Sequence, residues 1–265
     1  MLQRNLVKKG LYLLWSYGAF FLLIACYSNS NNKPTPSTTI KVAAAASTQP
    51  VLQALQELYQ QQHAVQFENY VQASGKLTAQ IEQGAAIDIF LSADSLYPAY
   101  LQEQGRTARP SVVYARGTLA LWSRDKPLGA GQNWSNFSLL PSERLVLADP
   151  KAAPYGKLAQ QALQAAGVAQ SMPTQLVYGQ NIEQVNLYLY NELVDFGLTA
   201  HSSLLHPKLK GKGHFLLLPH YQLPQAVALI QPLEGEVSKA AQQFYEFLQS
   251  AEAQQVLLDY GYALP

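Results

Sequence analysis

Four short stretches combine small or hydroxyl residues with the residue types that begin helices: Ala46-Ser47-Thr48, Ala73-Ser74-Gly75, Ala153-Pro154-Tyr155-Gly156 and Gln180-Asn181-Ile182. None of them contains Lys, Arg, Asp or Glu. Each follows a β-like run and precedes apolar residues at helical spacing, so each reads as strand, tight turn, helix N-terminus. A helix start leaves backbone N–H groups without intrahelical partners and carries the positive end of the macrodipole. One such turn is an ordinary helix start. Four of them, two from each side of a cleft, would surround a small anion with neutral donors. Because a backbone N–H cannot accept a hydrogen bond, such a cage favours a fully deprotonated anion.

Other chemistries have weaker support. His63, His201, His206, His214 and His220 show no close metal-ligand spacing. The 16 tyrosines could suggest paired phenolates on ferric iron, but tyrosines mostly serve cores and surfaces. Asp88 and Asp94 flank a short apolar run and read as turn or hinge groups; Lys157 and Arg116 read as solvated. No Ser/His/Asp order, Walker loop or zinc signature stands out, so neither an enzyme nor a cofactor is expected. With a formal net charge of +1 and no basic patch, nucleic acid is not an expected partner.

The elements that must position the four turns can be read in order. Residues 1–25 have a positive start (Arg4, Lys8, Lys9) and then an apolar run from Leu11 to Ala25, the pattern of a secretory signal peptide. Leu23-Ile24-Ala25-Cys26 resembles the bacterial lipobox, which makes Cys26 the expected lipidation site and the lipid the only membrane contact. Cys26 is the only cysteine, so intrachain disulfides are excluded. Residues 26–38 are polar and rich in Asn, Ser and Pro, as a flexible tether would be. From residue 39, strands alternate with helices, which indicates α/β architecture with mainly parallel pairing. Strands are expected at 40–45, 65–72, 88–92, 112–123, 145–148, 176–178, 196–200, 215–218 and 226–231. Helices are expected after Pro50, after Ser74, at 95–104, 157–166 and 182–193, and in the C-terminal region. The long run at 112–123 reads as a strand passing from one lobe to the next. The expected organisation is therefore lobe I at 39–117 and 225–265, lobe II at 118–224, and a ligand cleft between them at the strand ends.

Ala73-Ser74-Gly75-Lys76-Leu77, Gln80 to Ala85 (QIEQGA) and Asp88 to Asp94 (DIFLSAD) resemble the signature of the periplasmic molybdate-binding proteins of ABC transporters. Tyr114-Ala115-Arg116-Gly117, Ala148-Asp149-Pro150-Lys151, Ala153-Pro154-Tyr155-Gly156 and Val177-Tyr178-Gly179-Gln180-Asn181 continue it collinearly, from about Ile40 to Tyr262. The resemblance implies a two-lobed type II periplasmic binding protein fold that closes over a tetrahedral oxyanion. It also implies oxyanion ligands at Ser47, Ser74, Tyr155 and Ile182, with Thr48 and Gly75 as secondary candidates. Molybdenum or tungsten would enter only as the bound molybdate or tungstate, delivered by a monomeric lipoprotein to an ABC permease. Many relatives carry a tyrosine where this chain has Ala200 and a small residue where it has Tyr155, so the Tyr155 phenol is expected to replace the missing donor. The alternatives are a carrier or sensor for another small anion such as sulfate or phosphate, and an enzyme using the cleft, which would need a titratable acid or base there.

Overall fold

The computed structural model describes residues 38–128, 134, 137–168 and 174–265. The signal segment, Cys26 and all of the tether but Thr38 lie outside the described residues. β1 (Thr38–Ala45) runs into a 3-10 turn (Ala46–Thr48) and α1 (Gln49–Gln60), β2 (Val65–Gln72) into α2 (Ser74–Glu82), and β3 (Ile89–Leu91) into α3 (Leu96–Glu103). β4 (Val112–Ser123) is followed by β5 (Leu145–Ala148) with α4 (Pro154–Ala165), β6 (Leu176–Gly179) with α5 (Ile182–Tyr190), and β7 (Phe196–Ala200) with the short α6 (His201–Leu204). The long β8 (His214–Leu229) then leads to α7 (Lys239–Phe247) and α8 (Ala251–Asp259).

These strands form one sheet in the order β2-β1-β3-β8-β4-β7-β5-β6. Each half holds a parallel trio, β2-β1-β3 on one side and β7-β5-β6 on the other. The antiparallel pair β4 and β8 joins the trios. Where the chain crosses between halves, the two crossing segments are direct neighbours, with Arg116 opposite Pro224 and Gly117 opposite Leu223.

Three local expectations are corrected. The run at 215–218 and most of that at 226–231 belong to a single strand, β8, which ends at Leu229 and has a register shift between Thr118 and Leu119 of its partner. Pro219 lies in the skipped stretch, where its missing N–H could not have joined the ladder. Helix α4 begins at Pro154 rather than Lys157, because the fixed φ of proline suits the first helical position. Helix α5 ends at Tyr190, and the chain then turns through Glu192 at φ 56°.

Two apolar layers sandwich the first half of the sheet. On one face α1 buries Val51, Leu52, Leu55 and Tyr59 in a cluster with Phe244 of α7 and Leu257 of α8. On the other, Leu77 and Ile81 of α2 pack with Phe90 and Leu101. Each such side chain contributes about 1.5–3 kcal/mol by leaving water. The cluster of the second half takes in Ala45, Ala73 and Ala93 from the first. Those alanines are where the halves meet, and their single methyl groups let the two backbones come close.

Candidate functional site

The four turns singled out from the sequence converge. Ala46, Ser47, Ser74, Ala93, Tyr155 and Ile182 are among the residues lining one cavity of about 10 Å³. Ser47 is 2% exposed, Ser74 0%, Tyr155 1% and Ile182 3%. No carboxylate, imidazole, ammonium or guanidinium group lines this space. The cavity's volume is about the space one water needs.

Each donor is aimed by a strand running directly into a helix. After β1, Ala45 is extended (φ −57°, ψ 139°) and the 3-10 turn places Ser47 at the cavity. The carbonyl of Ser47 is held by two hydroxyl donors, Tyr262 at 3.2 Å and Ser202 at 3.3 Å. Its own Oγ is buried without a hydrogen-bond partner. A buried polar atom left unpaired costs about 1–3 kcal/mol.

After β2, the extended Ala73 sets Ser74 as the first residue of α2. Ser74 Oγ accepts the N–H of Ala93 at 3.1 Å, which leaves its own proton to donate. After β5, Ala153 and Pro154 bring Tyr155 into the first turn of α4. Gly156 is required beside it, since a Cβ there would collide with the carbonyl of Ala148. After β6, the Asn181 side chain accepts the Gln184 N–H at 3.0 Å and leaves Ile182 as the first helical residue at the cavity.

The secondary candidates do something else. Thr48 Oγ1 donates to the Ala45 carbonyl at 2.7 Å, so its hydroxyl braces the turn rather than offering a proton to an anion. The Gly75 N–H crosses to the Ala152 carbonyl at 3.0 Å. A side chain at Gly75 would press on the Tyr97 hydroxyl and on that carbonyl, so glycine serves close approach of the halves. Lys76 Nζ reaches Gln180 Oε1 at 3.3 Å across the same seam. The bystanders also have structural roles: Asp88 takes the Lys41 N–H at 2.8 Å, and Asp94 takes the Tyr97 N–H at 3.2 Å. Burial raises the Asp94 carboxyl above the usual carboxylate range, opposed by its hydrogen bonds and Lys157. Lys157 and Arg116 are exposed. Among the described residues no group of three or more His, Cys, Asp or Glu could hold a metal ion.

Gln225 and the part played by Tyr114 escaped the sequence reading, whereas Tyr155 was among its candidates. The Tyr114 hydroxyl donates to Gln225 Oε1 at 3.2 Å, and Gln225 Nε2 donates to the Tyr155 oxygen at 3.2 Å. Gln225 is fully buried on crossing strand β8. Gly117 lies beneath, and a Cβ on it would overlap both the Tyr155 oxygen and Gln225 Nε2. The available signal was a glutamine next to the apolar run at 226–230, a polar side chain where only a partnered one is tolerated. Burial pushes Tyr155 and Tyr114 well above the ordinary phenol value, aided by the nearby Tyr262, so both stay protonated.

A larger groove of about 410 Å³ shares Ala46 and Asn181 with the cavity. Its walls include Gln49, Gln184, Tyr190, His206 and Lys208. It opens between α1 and α5 and lacks the convergent buried donors of the cavity.

Residues 40–263 match the family model described as bacterial extracellular solute-binding protein. The chain is 27% identical to a Bacillus subtilis protein named putative ABC transporter substrate-binding lipoprotein YvgL, over 96% of this chain and 98% of that one. It is 32% identical to the molybdate-binding protein ModA of Rhodobacter capsulatus, over 71% of this chain and 74% of the relative. The solved periplasmic molybdate-binding protein of Azotobacter vinelandii superposes with a TM-score of 0.76 at 25% identity, covering 85% of this chain and 99% of that structure.

Proposed function

The chain belongs to the bacterial extracellular solute-binding protein family, whose members bind solutes and are not enzymes, and from that premise we propose that its solute is molybdate or tungstate. The observation that carries this reading is the buried, partnerless Ser47 Oγ in a charge-free cavity ringed by four helix starts. Ser47 and Ser74 supply hydroxyl protons, Ile182 and the first turn of α4 supply backbone N–H groups, and the Tyr155 phenol takes the part of the tyrosine absent at Ala200. Helix dipoles offset the anion's charge without a counter-charge that would itself need desolvation. The names of the Rhodobacter and Azotobacter relatives support the choice of anion.

Capture proceeds by closure of lobe I (39–117 and 225–265) on lobe II (118–224) about the paired crossing segments of β4 and β8. The donors are set by strand ends and need little reorganisation. A smaller anion such as sulfate cannot reach all of them at once, which is the basis of discrimination. The loaded protein, a monomer, delivers its anion to the permease of an ABC transporter, as the name of the Bacillus relative suggests. Cys26 tethers it by lipid on the outer side of a bacterial membrane; no helix among the described residues is long and apolar enough to cross one. Calorimetric titration with molybdate, tungstate, sulfate and phosphate tests the proposal. Tight, saturable binding of molybdate or tungstate is expected, and its absence overturns the reading.

A further inference from the structure

We propose that Gln225, locked in orientation by Tyr114, holds the Tyr155 phenol with its proton directed to the cavity, which makes Gln225 and Tyr114 positioning residues for oxyanion capture. The inference rests on the oxyanion reading above and adds to it the device that decides whether Tyr155 attracts or repels an anion.

A primary amide has one accepting end and one donating end. Here the accepting end faces Tyr114 and the donating end faces Tyr155. The Tyr155 oxygen therefore accepts from Gln225, and among the described residues no acceptor takes its proton. Tyr155 is among the residues lining the cavity; an anion bound there is the acceptor proposed for that proton. If the amide were turned over, Tyr155 would donate to Gln225 Oε1 and show only lone pairs to an incoming anion. Gln225 would then donate to Tyr114, whose own proton would lose its acceptor. The observed orientation gives Tyr114 an acceptor and leaves the one free phenolic proton beside the site.

The surroundings keep this choice sharp. Gln225 is 0% exposed and Tyr114 3%, so water does not readily substitute for either partner. Gly117 provides the space in which the phenol oxygen and the amide meet, since a side chain there would occupy it. All three side chains are neutral, so the proton's direction can be set without adding charge near the anion.

The test is calorimetry with molybdate on the wild type, Tyr155→Phe, Tyr114→Phe and the double variant, with thermal melts to confirm folding. Tyr155→Phe should weaken binding about tenfold or more, the loss of a donor to a charged acceptor. Tyr114→Phe, which never touches the anion, should weaken it severalfold by freeing the amide to turn. In the Tyr155→Phe background the Tyr114 change should have no further effect, because nothing remains to be oriented. A merely structural Tyr114 would weaken both backgrounds equally, and that outcome overturns the proposal, as does a Tyr155→Phe variant that binds like wild type. A wild type that binds neither molybdate nor tungstate overturns the oxyanion reading and this one with it, so the two failures are distinguishable.

Discussion

Helix starts at the cavity and helix starts at the far end of the chain are built differently. Helices α7 and α8 begin with serines that satisfy their own first turns: Ser238 Oγ accepts the Ala241 N–H at 3.1 Å and Ser250 Oγ the Ala253 N–H at 3.2 Å. The 3-10 turn, α2 and α4 begin after Ala45, Ala73 and Ala153, and none has a side-chain cap. Replacing a good cap by alanine typically costs about 0.5–2 kcal/mol of stability. The cavity helices forgo that stability, and in α2 the Gly75 N–H goes instead to the Ala152 carbonyl of the other half. Helix α5 lies between the two cases, since Asn181 takes the Gln184 N–H and leaves Ile182 at the cavity.

The largest break in this contrast should come from giving a cavity helix the cap it lacks. Ala153→Asp should place a carboxylate where the anion belongs, at some cost in melting temperature because Ala153 is buried. At an effective dielectric near 20, two unit charges about 4 Å apart repel by roughly 4 kcal/mol, so molybdate affinity should fall by about 100-fold or more. Wild-type affinity in this variant would show that the α4 start is not part of the site.

The hydroxyls come next. Ser47→Ala and Ser74→Ala should each weaken molybdate binding by about 1–3 kcal/mol in calorimetry. Their ligand-free melting temperatures should diverge. Ser47 Oγ has no protein partner, so its loss should leave melting unchanged or raise it, whereas loss of Ser74 Oγ strands the buried Ala93 N–H and should lower it. A clear drop for Ser47→Ala would mean that its hydroxyl serves the fold.

The reverse exchange tests the other end of the chain. Ser238→Ala and Ser250→Ala should each cost about 1 kcal/mol in denaturant unfolding and leave molybdate affinity untouched, because neither N-cap lines the cavity. Impaired binding by either would dissolve the distinction between the two kinds of start.

The smallest effect should be that of pH. The Tyr155 phenol donates only while protonated, and burial raises its folded-state pKa well above the ordinary value. The donor is thus present below that raised value and lost only as pH climbs through it. No other titratable side chain lines the cavity, so affinity should be flat between about pH 7 and pH 9. A decline across that window would mean that a group titrating near neutrality contributes to binding.

Much of this was legible in the sequence, and what was not has a physical cause. Ala-Ser-Thr before Pro50 and Ala-Ser-Gly before Leu77 signal helix starts through local sterics and side-chain chemistry, which neighbours in the chain settle between themselves. The alternation of strand and helix signals indicated the α/β class for the same reason. The merging of 215–218 with most of 226–231 into β8 was hidden because Pro219 breaks the local pattern, while pairing with β4 carries the strand past it. Thr48 and Gly75 look like donors from their types alone. Only the folded chain shows one spent on the Ala45 carbonyl and the other on the opposing half.

The sequence by itself determined four helix starts, their turns free of charged residues, each at the end of a strand; that three of them lack a side-chain cap is seen only in the fold. Convergence of those starts was decided by the tertiary structure, because it depends on strand order and on the alanines that let the halves approach. The orphaned Ser47 hydroxyl and the direction of the Tyr155 proton likewise exist only in the fold. Tyr114, Tyr155 and Gln225 lie far apart along the chain, and no local propensity can say which of them will share a hydrogen bond.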